Sequence, residues 1–365
     1  MEKRSWKDGR YTEVRKVGEG ATKDVFQVWD ETLEIYVALC EFKPHMYESY
    51  IRRARREVRR LANLNHPNIV RIYNFEKADG VYMITEYMDG GDLKTKMRAE
   101  WREERELDEV LVVAIEVAKG LSLAHSRNIF HRDVKPSNVL INLDGAVKLC
   151  DFGMARPFAD ESIGSGMVLE GTIPYMSPEQ TWAQLPDRPS DMYSFGVTLY
   201  EMVTGRRPFY GASEDESDLA IVAEIRNSPP PPPSDYATCP PKLETLILDL
   251  LEKNPKNRPS ADRVIQELQS IRASMRSETA PFIDKARLSE GLQYPTTIVP
   301  GFLGAVASLQ LMHGMPSWYF EALVAAATAL GVVAIGSFAW RYFVRHSQQY
   351  AEELERRIAL LERPS

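Results

Sequence analysis

Apolar and polar residues alternate in short runs over the N-terminal quarter of the chain, as in β-strands that bury one face. The predicted strands cover residues 11–17, 25–29, 34–42, 69–75 and 81–86. A helical stripe of Ile51, Ala54, Val58 and Leu61 interrupts them within residues 50–63. The pattern therefore predicts a small sheet accompanied by one helix.

Beyond about residue 90, the apolar residues recur at the spacing of an α-helix, and helical stripes continue to about Met275. The clearest stripe consists of Val110, Ala114, Val117, Leu121 and Ala124. A small β-rich half followed by a larger helical half predicts an α+β fold of two lobes with a cleft between them.

The composition narrows the classes of function that such a fold can serve. The chain has 365 residues, of which 44% are hydrophobic, and a formal net charge of −7. An acidic balance without a nucleic-acid-reading motif gives no support for nucleic acid as a partner. The three cysteines, Cys40, Cys150 and Cys239, are widely separated, which favours free thiols in a reducing compartment.

Four short motifs lie in a fixed order along the chain. They are GEG at 18–20, HRDVKPSN at 131–138, DFG at 151–153 and SPE at 177–179. The glycine pair alone is weak evidence, because any tight hairpin can carry two glycines. Together and in this order, the motifs resemble those of the eukaryotic-like protein kinases. The resemblance implies a two-lobed protein kinase domain at residues 11–275.

This resemblance assigns the chemistry of phosphoryl transfer from ATP to four residues. Asp133 would accept or orient the proton of the substrate hydroxyl, and Lys135 would neutralise charge on the transferring phosphoryl group. Asn138 and Asp151 would hold Mg²⁺, whose hard character suits oxygen ligands. Lys135 and the pair Gly171-Thr172 are typical of kinases that phosphorylate serine or threonine in proteins.

The resemblance also implies a wider set of residues that bind ATP through its phosphates, adenine and ribose. These residues are Gly18, Gly20, Lys23, Val25, Ala38, Glu57, Glu86, Met88 and Asp92. Glu57 would be the glutamate of the N-lobe helix, and Glu86 and Met88 would belong to the hinge. Asp92 would meet the ribose hydroxyls, and Thr85 would be a small gatekeeper.

One expected positive charge is missing from this set. The third strand of kinases reads V-A-I-K, and its lysine binds the phosphates of ATP and pairs with a helix glutamate. Here the corresponding residues are VALC at 37–40, and the thiol of Cys40 supplies no cation. Lys43 is the nearest basic residue, but strand alternation turns it away from the face shared by Ala38 and Cys40.

Lys23 is the better substitute, because it stands in place of the third glycine of the G-x-G-x-x-G-x-V loop. It lies two residues before Val25 and shares its face, from which a long side chain could reach the phosphates. A lysine in this loop together with cysteine in the third strand resembles the with-no-lysine kinases. The alternative is a weak or inactive pseudokinase that acts as a membrane-bound signalling scaffold.

The segment after the DFG motif contains two candidate phosphorylation sites, Ser162 and Ser165. Arg132 and the arginines between residues 52 and 60 could meet such a phosphorylated segment, as basic clusters commonly do. Self-association would then allow one copy of the chain to phosphorylate another.

The C-terminal region contains a run of 19 residues without a charge, at 322–340. At about 1.5 Å per residue, a helix of this length spans about 28 Å, close to the hydrocarbon core of about 30 Å. Aromatic residues flank the run, as they do at membrane borders. The run therefore predicts a transmembrane segment.

Arg341 and Arg345 follow this run and favour a cytoplasmic tail, while the kinase domain must also be cytoplasmic to meet ATP. A helical hairpin of residues 297–313 and 320–344 would place both ends on the same side. A single span against the charge rule and an interfacial first segment are the alternatives. The predicted order after the kinase domain is a linker at 276–296, a membrane segment at 297–344 and a short cytoplasmic helical tail at 345–365.

Overall fold

The computed structural model describes residues 4–20, 22–43, 55, 58, 60–61, 64–77, 80–99, 106–152, 173–210 and 218–289. The chain forms two units, Met1–Ile283 and Asp284–Ser365. Within the second unit only the end of one helix is described. The architecture below is that of the first unit.

The N-terminal lobe is a six-stranded antiparallel sheet with the order β1-β2-β3-β4-β6-β5. Its strands are β1 (Ser5–Trp6), β2 (Tyr11–Glu19), β3 (Lys23–Asp30), β4 (Ile35–Phe42), β5 (Ile72–Lys77) and β6 (Val81–Glu86). The alternating runs predicted five of these strands with small differences at their ends. They did not predict β1.

The two faces of the sheet bury different side chains, because successive residues of a strand alternate between them. Phe26 of β3 is paired with Leu39 of β4, and both belong to an apolar cluster on one face. Lys23 and Val25 of β3 lie with Cys40 of β4 on the opposite face. This second face is the roof of the cleft between the lobes.

Residues 4–6, here called the N-terminal strap, close the outer face of the sheet. The strand β1 pairs with β2 and places Trp6, which is 3% exposed, at a ring-centroid distance of 5.1 Å from Phe26. The indole Nε1 of Trp6 donates to Oε1 of Glu41 at 3.1 Å, and Arg4 donates to both oxygens of that carboxylate at 2.7 and 2.8 Å. The N-terminal strap therefore connects the edge of the sheet to β4. Its residues precede residue 11, where the kinase domain is predicted to start.

The second lobe is mainly helical and begins after β6. Its helices are α1 (Leu93–Ala99), α2 (Leu107–Ser126), α3 (Pro178–Thr181), α4 (Arg188–Thr204), α5 (Asp218–Asn227), α6 (Pro241–Leu250) and α7 (Ala261–Ser289). Helices α2 and α4 form the centre of its core, where Leu121 and Phe195 have no exposed surface. A hairpin of β7 (Val139–Ile141) and β8 (Val147–Leu149) packs on α2. The predicted β-rich N-lobe and larger helical C-lobe are thus confirmed.

The connection between the lobes passes close to the β7–β8 hairpin. A Cβ atom at Gly90 would lie 2.4 Å from the carbonyl oxygen of Ile141, so the backbone approach requires glycine. The backbone N–H of Ile141 donates to the carbonyl oxygen of Gly91 at 2.9 Å. Oδ1 of Asp89 accepts from the backbone N–H of Leu143 at 2.9 Å. These contacts fix the hinge against the C-lobe.

A shielded ion pair joins α3 to the loop before α7. Arg258 donates through Nη1 and Nη2 to the two carboxylate oxygens of Glu179 at 2.7 and 2.8 Å, and its side chain has no exposed surface. Burial alone would raise the pKa of Glu179, but the Arg258 guanidinium outweighs burial and lowers the pKa. The carboxylate of Glu179 is therefore charged at neutral pH.

Replacing Arg258 with methionine is expected to lower the free energy of unfolding by about 3–5 kcal/mol, because the charge of Glu179 loses its partner in a shielded position. Urea denaturation measures this loss. The matched control is Arg263→Met, which removes more exposed ion pairs with Glu267 and Asp249 and should cost less than about 1 kcal/mol. Equal losses in the two variants would contradict the prediction.

This loss should depend on pH, because the folded-state pKa of Glu179 is lowered. The contribution of the pair is present above the pKa of an unfolded glutamate, about 4.3, and is lost as the pH falls through the folded-state pKa. The difference between wild type and Arg258→Met should therefore shrink in acid.

The structure describes some residues of the predicted N-lobe helix at 50–63 and of the predicted linker at 276–296. Within the predicted helix at 50–63, the described residues are helical, and Val58 and Leu61 are buried. Helix α7 continues past Met275 to Ser289, so most of the predicted linker at 276–296 is helical.

The predicted membrane segment at 297–344 and tail at 345–365 lie outside the described residues. Within the part of the chain that the structure describes, no helix combines the length and the apolar character needed to cross a bilayer.

Candidate active site

One buried carboxylate holds the loop that carries the HRD motif. Asp191, near the start of α4, accepts from the backbone N–H of His131 at 2.8 Å and from that of Arg132 at 2.6 Å. Its Oδ2 also lies 2.8 Å from Nε2 of His125. Because Asp191 has no exposed surface, its oxygens serve these internal bonds rather than solvent. The loop is thereby fixed immediately before Asp133.

Asp133 lies at the centre of a small polar network with two other predicted catalytic residues. Nζ of Lys135 lies 2.7 Å from Oδ2 of Asp133, and Nδ2 of Asn138 donates to the same oxygen at 3.0 Å. Nδ2 of Asn138 also donates to the carbonyl oxygen of Asp133 at 2.7 Å. Oδ1 of Asp133 is buried and has no hydrogen-bond partner among the described residues. It therefore offers an acceptor to an incoming hydroxyl group.

Asp151 follows β8 at the floor of the cleft. Its φ of 63° lies in the left-handed region, which aspartate adopts more readily than most residues with a Cβ atom. The carbonyl oxygen of Cys150 accepts from Nε2 of His131 at 2.9 Å, and the Cys150 N–H donates to the carbonyl oxygen of Asn138 at 3.0 Å. The ring of Phe152 lies 4.5 Å from that of His131. The start of the DFG motif and the HRD loop thus form one packed unit.

Lys23 is the first residue of β3 and reaches across the cleft from its roof. In the pairing of β3 with β4, Lys23 lies opposite Phe42 and Val25 lies opposite Cys40. Lys23 is therefore the diagonal neighbour of Cys40 on the same face. Its Nζ forms an ion pair with Oδ1 of Asp151, and its side chain is 14% exposed.

Burial and ion pairing have opposite effects on the groups at this contact. Burial alone would lower the pKa of Lys23, but the Asp151 carboxylate outweighs it and raises the pKa. Burial alone would raise the pKa of Asp151, but Lys23 lowers it. Burial raises the pKa of Cys40, so its thiol is neutral. At neutral pH, a charged lysine and a charged aspartate therefore face each other beside an uncharged thiol.

Lys43 lies on the other side of the sheet, as strand alternation predicts. Its Nζ is 3.8 Å from a carboxylate oxygen of Glu19 and 3.8 Å from one of Asp24. Asp24 follows Lys23 in β3 and therefore faces away from the cleft. Lys43 is thus engaged outside the site.

The glycine hairpin encloses the roof of the site next to Lys23. Gly18 is paired with Val25, where a Cβ atom on Gly18 would lie 3.6 Å from that of Val25. The N–H of Gly20 donates to the carbonyl oxygen of Lys23 at 3.0 Å and closes the turn. The structure thus brings the predicted residues of the hairpin together around one end of the roof.

The predicted adenine-binding residues meet where β4 and β6 join the hinge. Ala38 is paired with Thr85, and Met88 is buried immediately after the strand. Oε1 of Glu86 lies 2.5 Å from Nζ of Lys148, a partner on β8 that the sequence did not suggest. The backbone of Glu86 is also engaged, because its N–H donates to the carbonyl oxygen of Arg71 at 2.9 Å and its carbonyl oxygen accepts from Oγ1 of Thr85 at 3.2 Å.

Asp92 has a structural role at the start of α1. Its Oδ1 accepts from the backbone N–H of Thr95 at 2.9 Å, and its Oδ2 accepts from Oγ1 of Thr95 at 3.0 Å. This arrangement caps the helix. A contact between Asp92 and ribose would share the carboxylate with the cap, and it stays a prediction.

Asn138 and Asp151 fit the needs of Mg²⁺, which commonly takes one or two carboxylates together with phosphate oxygens. Asn138 directs Nδ2 at Asp133, so its amide oxygen is the atom left for a cation. Asp151 shares Oδ1 with Lys23 and has a second oxygen, Oδ2. Within the described ranges, no group of three or more His, Cys, Asp or Glu side chains is arranged to hold a metal ion. The two residues would therefore rely on nucleotide phosphates for further ligands.

Several predicted residues cannot be placed in this site because they lie outside the described part of the chain. They are Glu57, Gly153, Ser162, Ser165, Gly171 and Thr172. Arg132, predicted to meet a phosphorylated segment, has a buried Nε without a hydrogen-bond partner among the residues that are described.

Comparison with known proteins agrees with this geometry. A family model described as the protein kinase domain matches residues 11–268. A probable serine/threonine-protein kinase of Clostridium perfringens is 35% identical over 269 residues, which cover 72% of this chain and 38% of that protein.

Two further relatives match a similar length of this chain at similar sequence identity. Serine/threonine-protein kinase PksC of Streptomyces coelicolor is 32% identical over 306 residues, covering 80% of this chain and 54% of that protein. Serine/threonine-protein kinase PknB of Mycolicibacterium smegmatis is 35% identical over 260 residues, which cover 68% of this chain and 40% of that protein. The matched region thus spans between 38% and 54% of the length of these relatives.

Proposed function

This chain belongs to the eukaryotic-like protein serine/threonine kinase family, and we propose that it transfers the γ-phosphate of ATP to serine and threonine side chains of proteins. The observation that carries the proposal is the buried Oδ1 of Asp133, which has no partner in the described structure and lies on a carboxylate held by Lys135 and Asn138. Such an oxygen is suited to accept a hydroxyl proton.

In the proposed reaction, the substrate hydroxyl oxygen attacks the γ-phosphorus of ATP and its proton passes to Oδ1 of Asp133. ADP leaves with the electron pair of the broken P–O bond. Lys135 neutralises charge on the transferring group, and Asn138 keeps the Asp133 carboxylate oriented. Asn138 and Asp151 would hold Mg²⁺, which when bound neutralises charge on phosphate oxygens.

Lys23 is proposed to supply the phosphate-binding charge that Cys40 lacks. Its support is the shared face with Val25 and Cys40, together with a side chain that extends into the cleft as far as Asp151. Lys43 is engaged by carboxylates on the opposite face. Removal of the cation from the third strand is thus compatible with activity.

A transfer assay with radiolabelled ATP tests the proposed activity. The full chain with Mg-ATP is expected to label casein, and hydrolysis of the labelled casein should yield phosphoserine and phosphothreonine. Label on tyrosine alone would contradict the acceptor class. Binding of ATP without any transfer would contradict the activity and favour the pseudokinase scaffold. Self-labelling that increases per molecule with chain concentration would support phosphorylation between associated copies.

Residues 297–344 are proposed to tether the kinase domain to a membrane on its cytoplasmic side. The support is the uncharged run at 322–340 with aromatic residues at both ends. In this arrangement, residues 276–296 link the domain to the membrane, and residues 345–365 form a cytoplasmic helical tail.

After cell fractionation, the full chain is expected to stay with membranes during alkaline extraction, because a transmembrane helix is held by its apolar surface. Residues 1–290 should appear in the soluble fraction under the same conditions. For a helical hairpin, a protease that cannot cross the membrane should cleave the kinase domain and the tail from the same side. Release of the full chain by alkali would contradict tethering, and protection of the tail alone would favour a single span.

A further inference from the structure

The Lys23–Asp151 ion pair joins the cation proposed for the phosphates to a carboxylate proposed for the metal. The ammonium group can bind either Asp151 or a phosphate, and the carboxylate can bind either Lys23 or a divalent cation. We infer, on the basis of the proposed function, that Lys23 competes with the divalent cation for Asp151. Nucleotide phosphates end this competition by drawing Lys23 away from the carboxylate.

Asp151 provides the negative charge of the proposed metal site, since Asn138 is neutral. Asp133, the carboxylate of the catalytic loop, is already engaged by Lys135 at 2.7 Å and by Asn138 at 3.0 Å. A cation that enters the cleft therefore depends mainly on Asp151 for attraction. Lys23 holds that same group.

The other titratable groups near Asp151 do not take the place of Lys23. His131 is fully buried, which lowers the pKa of its imidazole and favours the neutral form. Lys135 is in contact with Asp133 and stabilises the charge of Asp151 less than Lys23 does. Lys23, by contrast, forms a direct ion pair with Asp151.

The Lys23–Asp151 ion pair is shielded from solvent, so the loss of either partner without a replacement costs free energy. The side chain of Lys23 is 14% exposed and that of Asp151 is 28% exposed. Removing one partner from a shielded pair leaves the other charge uncompensated, so each is released most easily when a substitute arrives. A phosphate substitutes for Asp151, and a divalent cation substitutes for Lys23. Nucleotide and metal should therefore strengthen each other's binding by the same factor.

The position of Lys23 in the sheet permits this exchange. Lys23 directly follows the hairpin turn that Gly20 closes, at the start of β3. Rotation about the bonds of its long, flexible side chain can carry the ammonium group from Asp151 towards a phosphate while Lys23 stays paired with Phe42 in the sheet.

Binding of Mn²⁺ alone to the full chain measures the competition, with Mn²⁺ as a probe because it accepts the same oxygen ligands as Mg²⁺. Without nucleotide, Lys23→Met is expected to bind Mn²⁺ about 5- to 150-fold more tightly than wild type. Lys43→Met removes the same charge from the other face of the sheet and should bind Mn²⁺ as wild type does. Asp151→Asn should bind Mn²⁺ weakly, and asparagine tolerates the left-handed backbone at this position.

A nucleotide supplies the second half of the test. A non-hydrolysable ATP analogue should strengthen Mn²⁺ binding more in wild type than in Lys23→Met, because the variant has already lost the competitor. Lys23→Gln provides a second uncharged variant in case methionine disturbs folding, which thermal unfolding monitors. Equal Mn²⁺ affinities for wild type and the folded Lys23 variants without nucleotide would overturn the inference.

These measurements involve no phosphoryl transfer, so the inference and the proposed function can fail separately. Transfer by wild type with unchanged Mn²⁺ affinity in the Lys23 variants would overturn the competition and leave the kinase activity standing. Tighter Mn²⁺ binding by the Lys23 variants, without transfer by wild type, would support the competition and overturn the activity.

Discussion

Replacing Asp133 with asparagine is expected to lower kcat for phosphoryl transfer by about 10²- to 10⁴-fold, the usual contribution of a positioned acid or base. The substitution keeps the shape of the side chain but removes the carboxylate that would receive the hydroxyl proton. The partners Lys135 and Asn138 remain in place. The measurement is the rate of transfer of labelled phosphate from saturating Mg-ATP to casein.

The KM for ATP should change much less than kcat, because the lost interaction with the proton develops as the reaction proceeds. Asp144→Asn is the matched control, since Asp144 accepts from the backbone N–H of Ala146 in the turn of the β7–β8 hairpin. It should retain the wild-type rate of transfer. Equal rates for wild type and Asp133→Asn would refute transfer by this site.

Replacing Lys23 with methionine is expected to lower kcat/KM by about 10²- to 10³-fold, because it removes a preorganised cation near charge that develops on the phosphates. The cation would be lost from a part of the roof where the neighbouring Cys40 is neutral. Initial rates over a range of Mg-ATP concentrations measure the effect on kcat and KM separately.

The variant Lys43→Met shows which of the two lysines, Lys23 or Lys43, supplies the phosphate-binding charge. It should remain within a few-fold of wild type, since Lys43 contacts Glu19 and Asp24 outside the cleft. Full turnover by Lys23→Met together with an inactive Lys43→Met would show that the relocation is wrong. The double change Lys23→Gly and Cys40→Lys is expected to recover part of the lost rate, limited by the space around the buried Cys40.

The residues of the polar network around Asp133 could be identified from the sequence because they are close neighbours along the chain. Asp133, Lys135 and Asn138 belong to one motif, and the structure places Nζ of Lys135 at 2.7 Å and Nδ2 of Asn138 at 3.0 Å from Oδ2 of Asp133. The face of Lys23 was also predictable, because alternation in a strand fixes which residues share a side. Lys23 and Cys40 do share a face, while the role of Lys23 towards phosphate stays a prediction.

The partner of Lys23 could not be predicted in the same way. Asp151 is 128 positions further along the chain, and their contact depends on how the roof and the floor of the cleft meet. Strand alternation identifies the face of a side chain, but it does not identify the residue across the cleft. The resemblance suggested Asp151 as a metal ligand and gave no reason to pair it with Lys23.

The shortest strands were also missed, for a related reason. The strand β1 has two residues and β7 and β8 have three each, which is too few for a period to be recognised. These strands form because their residues contact residues that are distant along the chain. Trp6, for example, is held by Phe26 and Glu41 rather than by any local preference.

The order of strands in the sheet has a consequence for the path by which the chain folds. Strands β1, β2 and β3 each pair with the next strand along the sequence, so their contacts close short loops at little cost in chain entropy. The contact of the N-terminal strap with Glu41 can form only after Glu41 has been positioned, and it joins residues 37 positions apart. The contact between Lys23 and Asp151 joins residues 128 positions apart. We therefore expect the first hairpins to form early and the cleft to assemble late. During synthesis, the roof of the site can be complete before its floor has left the ribosome.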